Sequence, residues 1–247
     1  MNIYNTILER KRTKQKAFAI LVDPDNIEQP ALLDLIQLAV SCHVDYFFVG
    51  GSLIVKDHVG TVVKTIKARC KIPVILFPGS NMHIDAQADA ILFLSLISGR
   101  NPDLLIGQQV IAAPILKRTP LEILSTGYML VDGGRSTTVS YISNTTPLPA
   151  DKPSIAACTA MAGEMLGMKI IYMDAGSGAE YPISRKMIGA VSRSIDIPLV
   201  VGGGINNVAK AQDAWEAGAD IVVIGNAIET NKTLVIDIAE RAHLINN

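Results

Sequence analysis

Three short apolar runs in the last third of the chain each end in glycine, and they limit the possible folds more than any other pattern. They are Ile170-Ile171-Tyr172-Met173-Asp174-Ala175-Gly176-Ser177-Gly178, Leu199-Val200-Val201-Gly202-Gly203-Gly204 and Ile221-Val222-Val223-Ile224-Gly225-Asn226. Each is short and rich in β-branched residues, as buried strands are. Segments of helical period lie between them. Strand, glycine turn and helix in repetition imply a parallel sheet with helices outside it.

Glycine at such ends suits an anion. Backbone N–H groups reach a phosphate at close range where no Cβ obstructs them, and glycine also accepts a positive φ. A helix beginning just past the turn adds its positive end, and Asn206 and Asn207 are suitable N-caps for one. Three such turns side by side form a phosphate cup, which in (β/α)8 barrels lies at the ends of the last strands. The plainer alternative is that glycine only tightens each turn.

The 247 residues suffice for one (β/α)8 barrel, and a single domain over residues 1–247 is expected. A net charge of −1 leaves no electrostatic footprint for nucleic acid. The longest apolar run, around Ala90 to Ile97, is too short to cross a membrane, and Ala17 to Val22 is too short for a signal peptide. Cys42, Cys70 and Cys158 lack metal spacing and point to a reducing, cytoplasmic setting.

Eight strands are expected. The first five cover 17–22, 46–49, 73–77, 90–94 and 128–131, and the three glycine-ended runs complete the set. Helices are expected over 3–15, 30–42, 56–69, 103–112, 120–126, 154–166, 184–194, 207–217 and 230–244, with Gly218 as a C-cap. Only about a dozen residues separate the third and fourth strands, where a full crossover helix barely fits. The third barrel helix is therefore expected to be missing or reduced to a loop, leaving an apolar groove on the flank. The polar segment 136–152 reads as a lid or active-site loop, or else as a spacer.

The strand ends carry the chemistry. Pro24 cannot donate to a ladder, so Asp23 is held at the end of the first strand. Ser52 ends the second. A carboxylate and a hydroxyl on neighbouring strand ends can share one hard cation such as Mg²⁺ with waters and a phosphate oxygen. Alternatively Asp23 only forms a turn, with Asp25 better placed to cap the next helix. Tyr172 and Asp174 alternate on one strand, so both face one side, the barrel interior near its mouth. A buried carboxylate there can act as a general base, or simply bond the backbone of Gly176 to Gly178. His43, His58, His83 and His243 form no constellation.

Leu21-Val22-Asp23-Pro24-Asp25, Val49-Gly50-Gly51-Ser52, Tyr172 to Ala179, Val201-Gly202-Gly203-Gly204-Ile205 and Gly225-Asn226 together resemble the geranylgeranylglyceryl phosphate synthases. Those prenyltransferases are related to the bacterial heptaprenylglyceryl phosphate synthases. The likeness runs through the whole chain and fits the larger, second group of the family. It implies a (β/α)8 barrel whose third helix is replaced by a loop. It implies Asp23 and Ser52 as Mg²⁺ ligands. Tyr172, Met173, Asp174, Ala175, Gly176, Ser177, Gly178, Gly203, Gly204, Gly225 and Asn226 would form the sn-glycerol 1-phosphate site. Asp174, with Tyr172, would be catalytic. A polyprenyl diphosphate, geranylgeranyl in the first place, would lay its tail in the flank groove. Arg100 is a candidate for its diphosphate. A homo-oligomer, dimer or hexamer, with at most peripheral membrane contact, is implied as well. The chain departs from many relatives in carrying Asp174 for glutamate, and from some in carrying Val22 where they have lysine. Two other functions suit the same barrel: an isomerase or lyase acting on a small phosphorylated metabolite, and a non-catalytic phosphometabolite-binding barrel.

Overall fold

The structure, a computed structural model, describes residues 2–56 and 58–246. Eight parallel strands close into a barrel in sequence order. They are β1 (Ala17–Val22), β2 (Tyr46–Gly51), β3 (Val74–Pro78), β4 (Ala90–Leu96), β5 (Glu122–Leu130), β6 (Ile170–Asp174), β7 (Leu199–Gly202) and β8 (Ile221–Ile224). β8 closes on β1 through Ala17↔Ile221 to Ile20↔Ile224. Around them run α1 (Ile3–Arg12), α2 (Gln29–Ser41), α3 (Val59–Arg69), α4 (Gln108–Leu116), α5 (Thr138–Ser143), α6 (Pro153–Met165), α7 (Arg185–Ser192), α8 (Val208–Ala217), α9 (Asn226–Thr230) and α10 (Thr233–Asn246).

Strand alternation sorts the apolar side chains into two layers. Phe48, Ile75, Leu92, Leu124, Tyr128, Tyr172, Val200 and Val223 pack as one buried cluster inside the barrel. Phe47, Val49, Leu76, Met173, Val201 and Val222 pack outward with the helices. α1 closes the N-terminal end: its buried Ile3 and Ile7 belong to the interior cluster, and the Glu122 carboxylate accepts from Ile3 N (2.6 Å) and Tyr4 N (2.9 Å).

No helix joins β3 to β4; the connection is turns and bends. The segment after β4 begins as a π-helical turn, Asp103–Gly107, and continues as α4. In the segment 120–126, expected to be helical, residues 122–126 are instead the first half of a nine-residue β5. α4 has already ended at Leu116, Pro120 disfavours a helical residue before it, and Leu121-Glu122-Ile123-Leu124-Ser125-Thr126 offers β-branched residues that pair with β4 from Ala90↔Glu122 onward. Segment 136–152 is part-ordered: it holds α5, started by a reciprocal Thr137–Ser140 capping box, and Leu148 bridges to Val131.

Candidate functional site

The C-terminal strand ends surround a polar cavity of about 590 Å³. Asp23, Ser52, Tyr172, Asp174, Gly176, Ser177, Gly178, Gly203, Gly204, Gly225 and Asn226 all line it. Met173 and Ala175 do not. Met173 alternates outward and is fully buried among helix-facing residues, and the Ala175 amide is engaged with Gly202 O (3.2 Å). Arg100 lies outside the lining, exposed, and donates to its neighbour Gly99 O (3.1 Å).

The glycine turns are held against one another. Ser177 Oγ donates to Asn226 Oδ1 (3.0 Å), joining the turns after β6 and β8. Gly203 has φ +78°, and a Cβ there would stand 2.6 Å from both Ala175 N and Asp174 Oδ1. The triple glycine is thus a steric requirement of the cup as well as a conformational one. Asn207 caps α8, accepting from Lys210 N (2.9 Å), so that helix begins just behind the cup.

Asp174 is the buried carboxylate of the site, 8% exposed. Oδ2 accepts from the Tyr128 hydroxyl (2.6 Å) and Oδ1 from Gly176 N (2.7 Å). Both readings of this residue are therefore visible at once: a bond to the glycine turn and a carboxylate at the cavity wall. Burial pushes its pKa up, against the two hydrogen bonds that pull it down. Burial and the Asp174 charge raise the Tyr128 and Tyr172 hydroxyls well above their ordinary value, so both stay protonated. Tyr128 is the residue missed as part of this site. Its signal was register: it pairs with Tyr172, two positions before Asp174, and so shares the interior face.

Asp23 sits at the end of β1. Oδ1 accepts from Asp25 N (2.9 Å) and Oδ2 from Asn26 Nδ2 (2.7 Å), while burial raises its pKa. Asp25 does not cap α2, whose N-cap Glu28 makes no side-chain bond. It accepts instead from Val55 N (2.5 Å) and Lys56 N (2.9 Å), pinning the loop after β2. Among the described residues no group of three His, Cys, Asp or Glu could hold a metal. One carboxylate and one hydroxyl, Asp23 and Ser52, fit a hard cation held mostly by water and ligand oxygens.

A second cavity adjoins the first where the third helix is missing. It is apolar, with Ile84, Ile91, Phe93, Leu94, Leu104 and Leu116 among its walls, and Gly51, Ser52 and Phe77 line both cavities. Phe77 stacks on Tyr172 (5.2 Å between centroids) and tilts against Tyr128 (5.9 Å). The junction is thus an aromatic wall beside Asp174.

Fold and site define a class: a (β/α)8 barrel with a glycine anion cup, a buried carboxylate and an apolar groove opening onto both. The sequence profile described as the PcrB family matches residues 9–242, and the chain belongs to that family. It is 53% identical over 241 residues to a geranylgeranylglyceryl phosphate synthase of Chitinophaga pinensis, covering 98% of this chain and 96% of that protein. It is 42% identical to the enzyme of the same name from Thermococcus kodakarensis, covering 91% and 88%. The crystal structure of (S)-3-O-geranylgeranylglyceryl phosphate synthase from Thermoplasma acidophilum in complex with sn-glycerol-1-phosphate superposes with a TM-score of 0.91 at 30% identity, covering 97% of this chain and 98% of that one.

Proposed function

We propose that this chain is a prenyltransferase that moves a polyprenyl group, geranylgeranyl in the first place, from its diphosphate to a hydroxyl of sn-glycerol 1-phosphate. The products are an ether-lipid precursor and diphosphate. The observation that carries this is the junction itself: an apolar groove meets a glycine-lined cup at Phe77, beside buried Asp174. The similarity to named geranylgeranylglyceryl phosphate synthases supports it.

In this reading the cup formed by Gly176 to Gly178, Gly203-Gly204 and Gly225-Asn226 holds the acceptor phosphate with backbone N–H groups. Tyr172 shapes the wall beneath it. The groove seats the tail, so the allylic carbon arrives at the junction. Holding both reactants there converts a bimolecular step into an oriented one. The glycerol oxygen forms a bond to the allylic carbon, the carbon–oxygen bond to diphosphate breaks with its electron pair leaving on diphosphate, and Asp174 takes the hydroxyl proton. Tyr128 and Gly176 N hold the two carboxylate oxygens in place. Asp23 and Ser52 would hold Mg²⁺, which when bound neutralises the leaving diphosphate.

The reading places the enzyme in the cytoplasm as a homo-oligomer, dimer or hexamer, in at most peripheral contact with membranes. Among the described residues no helix is long and apolar enough to cross one. Val110 and Ile111 on α4, 62% and 59% exposed, supply an apolar face for association.

The test is turnover of labelled sn-glycerol 1-phosphate with a series of polyprenyl diphosphates. A solvent-extractable ether that forms with Mg²⁺ and not with EDTA is expected. No product with any donor would overturn the reading.

A further inference from the structure

The polar cavity is short of positive charge. Among the described residues its charged lining is Asp23 and Asp174, both acids, with no Lys or Arg. Under the proposed function, on which this inference rests, the cavity takes a phosphate and a diphosphate beside those two carboxylates. Backbone amides supply only partial charges. Two nearby lysines are committed to carbonyl oxygens: Lys210 Nζ to Gly204 O and Lys56 Nζ to Asp25 O, each at 3.2 Å.

One exposed cation, Arg135, stands at the rim of the cup, outside the residues that line it. A Cβ on Gly178 would stand 2.6 Å from Arg135 Nη2, so the guanidinium lies directly over that glycine, which lines the cavity. Arg135 follows β5 through the turn Asp132-Gly133-Gly134. Gly133 O accepts from Glu180 N (2.9 Å) and Tyr181 N (3.0 Å), stapling that turn onto the one after β6. On its other side the capping box at Thr137 fixes the start of α5. The backbone is thus held on both flanks of Arg135, while among the described residues no carboxylate or carbonyl engages its side chain. A buried ion pair elsewhere would have explained the arginine; an open guanidinium held over a glycine turn does not serve the fold.

We propose that Arg135 is a binding residue for the acceptor, reaching the phosphate of sn-glycerol 1-phosphate from the Gly178 side of the cup. A planar guanidinium offers two parallel N–H donors to two phosphate oxygens, which a lysine cannot match. The segment 132–136 is then part of the anion site, contributed by β5 to a cup otherwise built from β6, β7 and β8.

The test uses the full chain as wild type, Arg135→Met and Arg135→Lys. The dissociation constant of sn-glycerol 1-phosphate is measured by calorimetry without donor, and KM is measured for each substrate. Arg135→Met is expected to weaken acceptor binding and raise its KM about tenfold or more, with the donor KM moving less than about threefold. Arg135→Lys is expected to recover part of the loss. The gap between wild type and Arg135→Met should narrow as salt rises, because the contact is partly exposed. Unchanged acceptor affinity in Arg135→Met would overturn the proposal, as would a rise confined to the donor KM. A wild type that neither binds nor turns over glycerol phosphate would overturn the proposed function as well.

Discussion

The two ends of this barrel are made by the same eight strands and are closed in opposite ways. At the N-terminal end, side chains fill the opening. Ile3 and Ile7 are 4% and 1% exposed, Glu122 caps the first turn of α1, and Arg10 pairs with Asp45 at 2.5 Å. Trp215, buried in α8, donates to Ala17 O (3.1 Å) at the start of β1. Tyr46 beside them has its hydroxyl pushed up to about 12, mainly by burial. At the C-terminal end the backbone does the shaping. Glycines replace side chains, and a carboxylate stays buried although burial disfavours its charge. The difference separates stability from chemistry: one end spends apolar surface on closure, and the other leaves room and keeps a carboxylate buried at the cavity wall.

That separation can be broken from either side. The largest effect is expected from Gly203→Ala, since its methyl would overlap Asp174 Oδ1 and two backbone amides. Turnover should fall by about a thousandfold or more, as a reacting group displaced by about an ångström already costs about a hundredfold. At the other end, Ile7→Ala removes a buried plug and should cost about 2–5 kcal/mol of stability in a denaturant melt. KM for both substrates should stay put; a shift in either would show that the ends are coupled.

Tyr128→Phe should lower kcat about tenfold to a hundredfold while leaving the fold intact. It also has a pH signature. Asp174 must be ionised to accept a proton, and burial raises its pKa, so activity falls as pH drops through a value above the ordinary ~3.9. Losing the Tyr128 hydroxyl removes a bond that favours the charged form, so the acid limb should move further up. A pH–rate profile that does not move would sharpen the comparison against Tyr128. The smallest effect is expected from Glu122→Gln, about 1 kcal/mol of stability with no change in rate.

Most of the barrel was legible because parallel strands buried on both faces read as apolar runs, and the last three end in turns that demand glycine. The missing third helix was legible from spacing alone. What misled was 120–126. Taken locally the segment has no clear period, and only its pairing with β4 and the contact of Glu122 with α1 make it a strand. Tyr128 lay inside the expected fifth strand, but its bond to Asp174 depends on the register between β5 and β6, Tyr128 against Tyr172, which periodicity along one strand does not give. Arg135 was not legible as a site residue, because its position beside Gly178 depends on two loops far apart in the chain, about which sequence periodicity says nothing.

The central claim is that Asp174 is a chemical group rather than a structural one, and Asp174→Asn tests it most directly when turnover and melting temperature are measured on the same preparation. Asparagine keeps the size but only one acceptor for the two donors, Tyr128 and Gly176 N, so the melting temperature should fall by no more than about 10 °C. Turnover should fall by about a hundredfold to ten-thousandfold. Wild-type turnover in that variant, or a collapse of the fold that accounts for all of the lost activity, would contradict it.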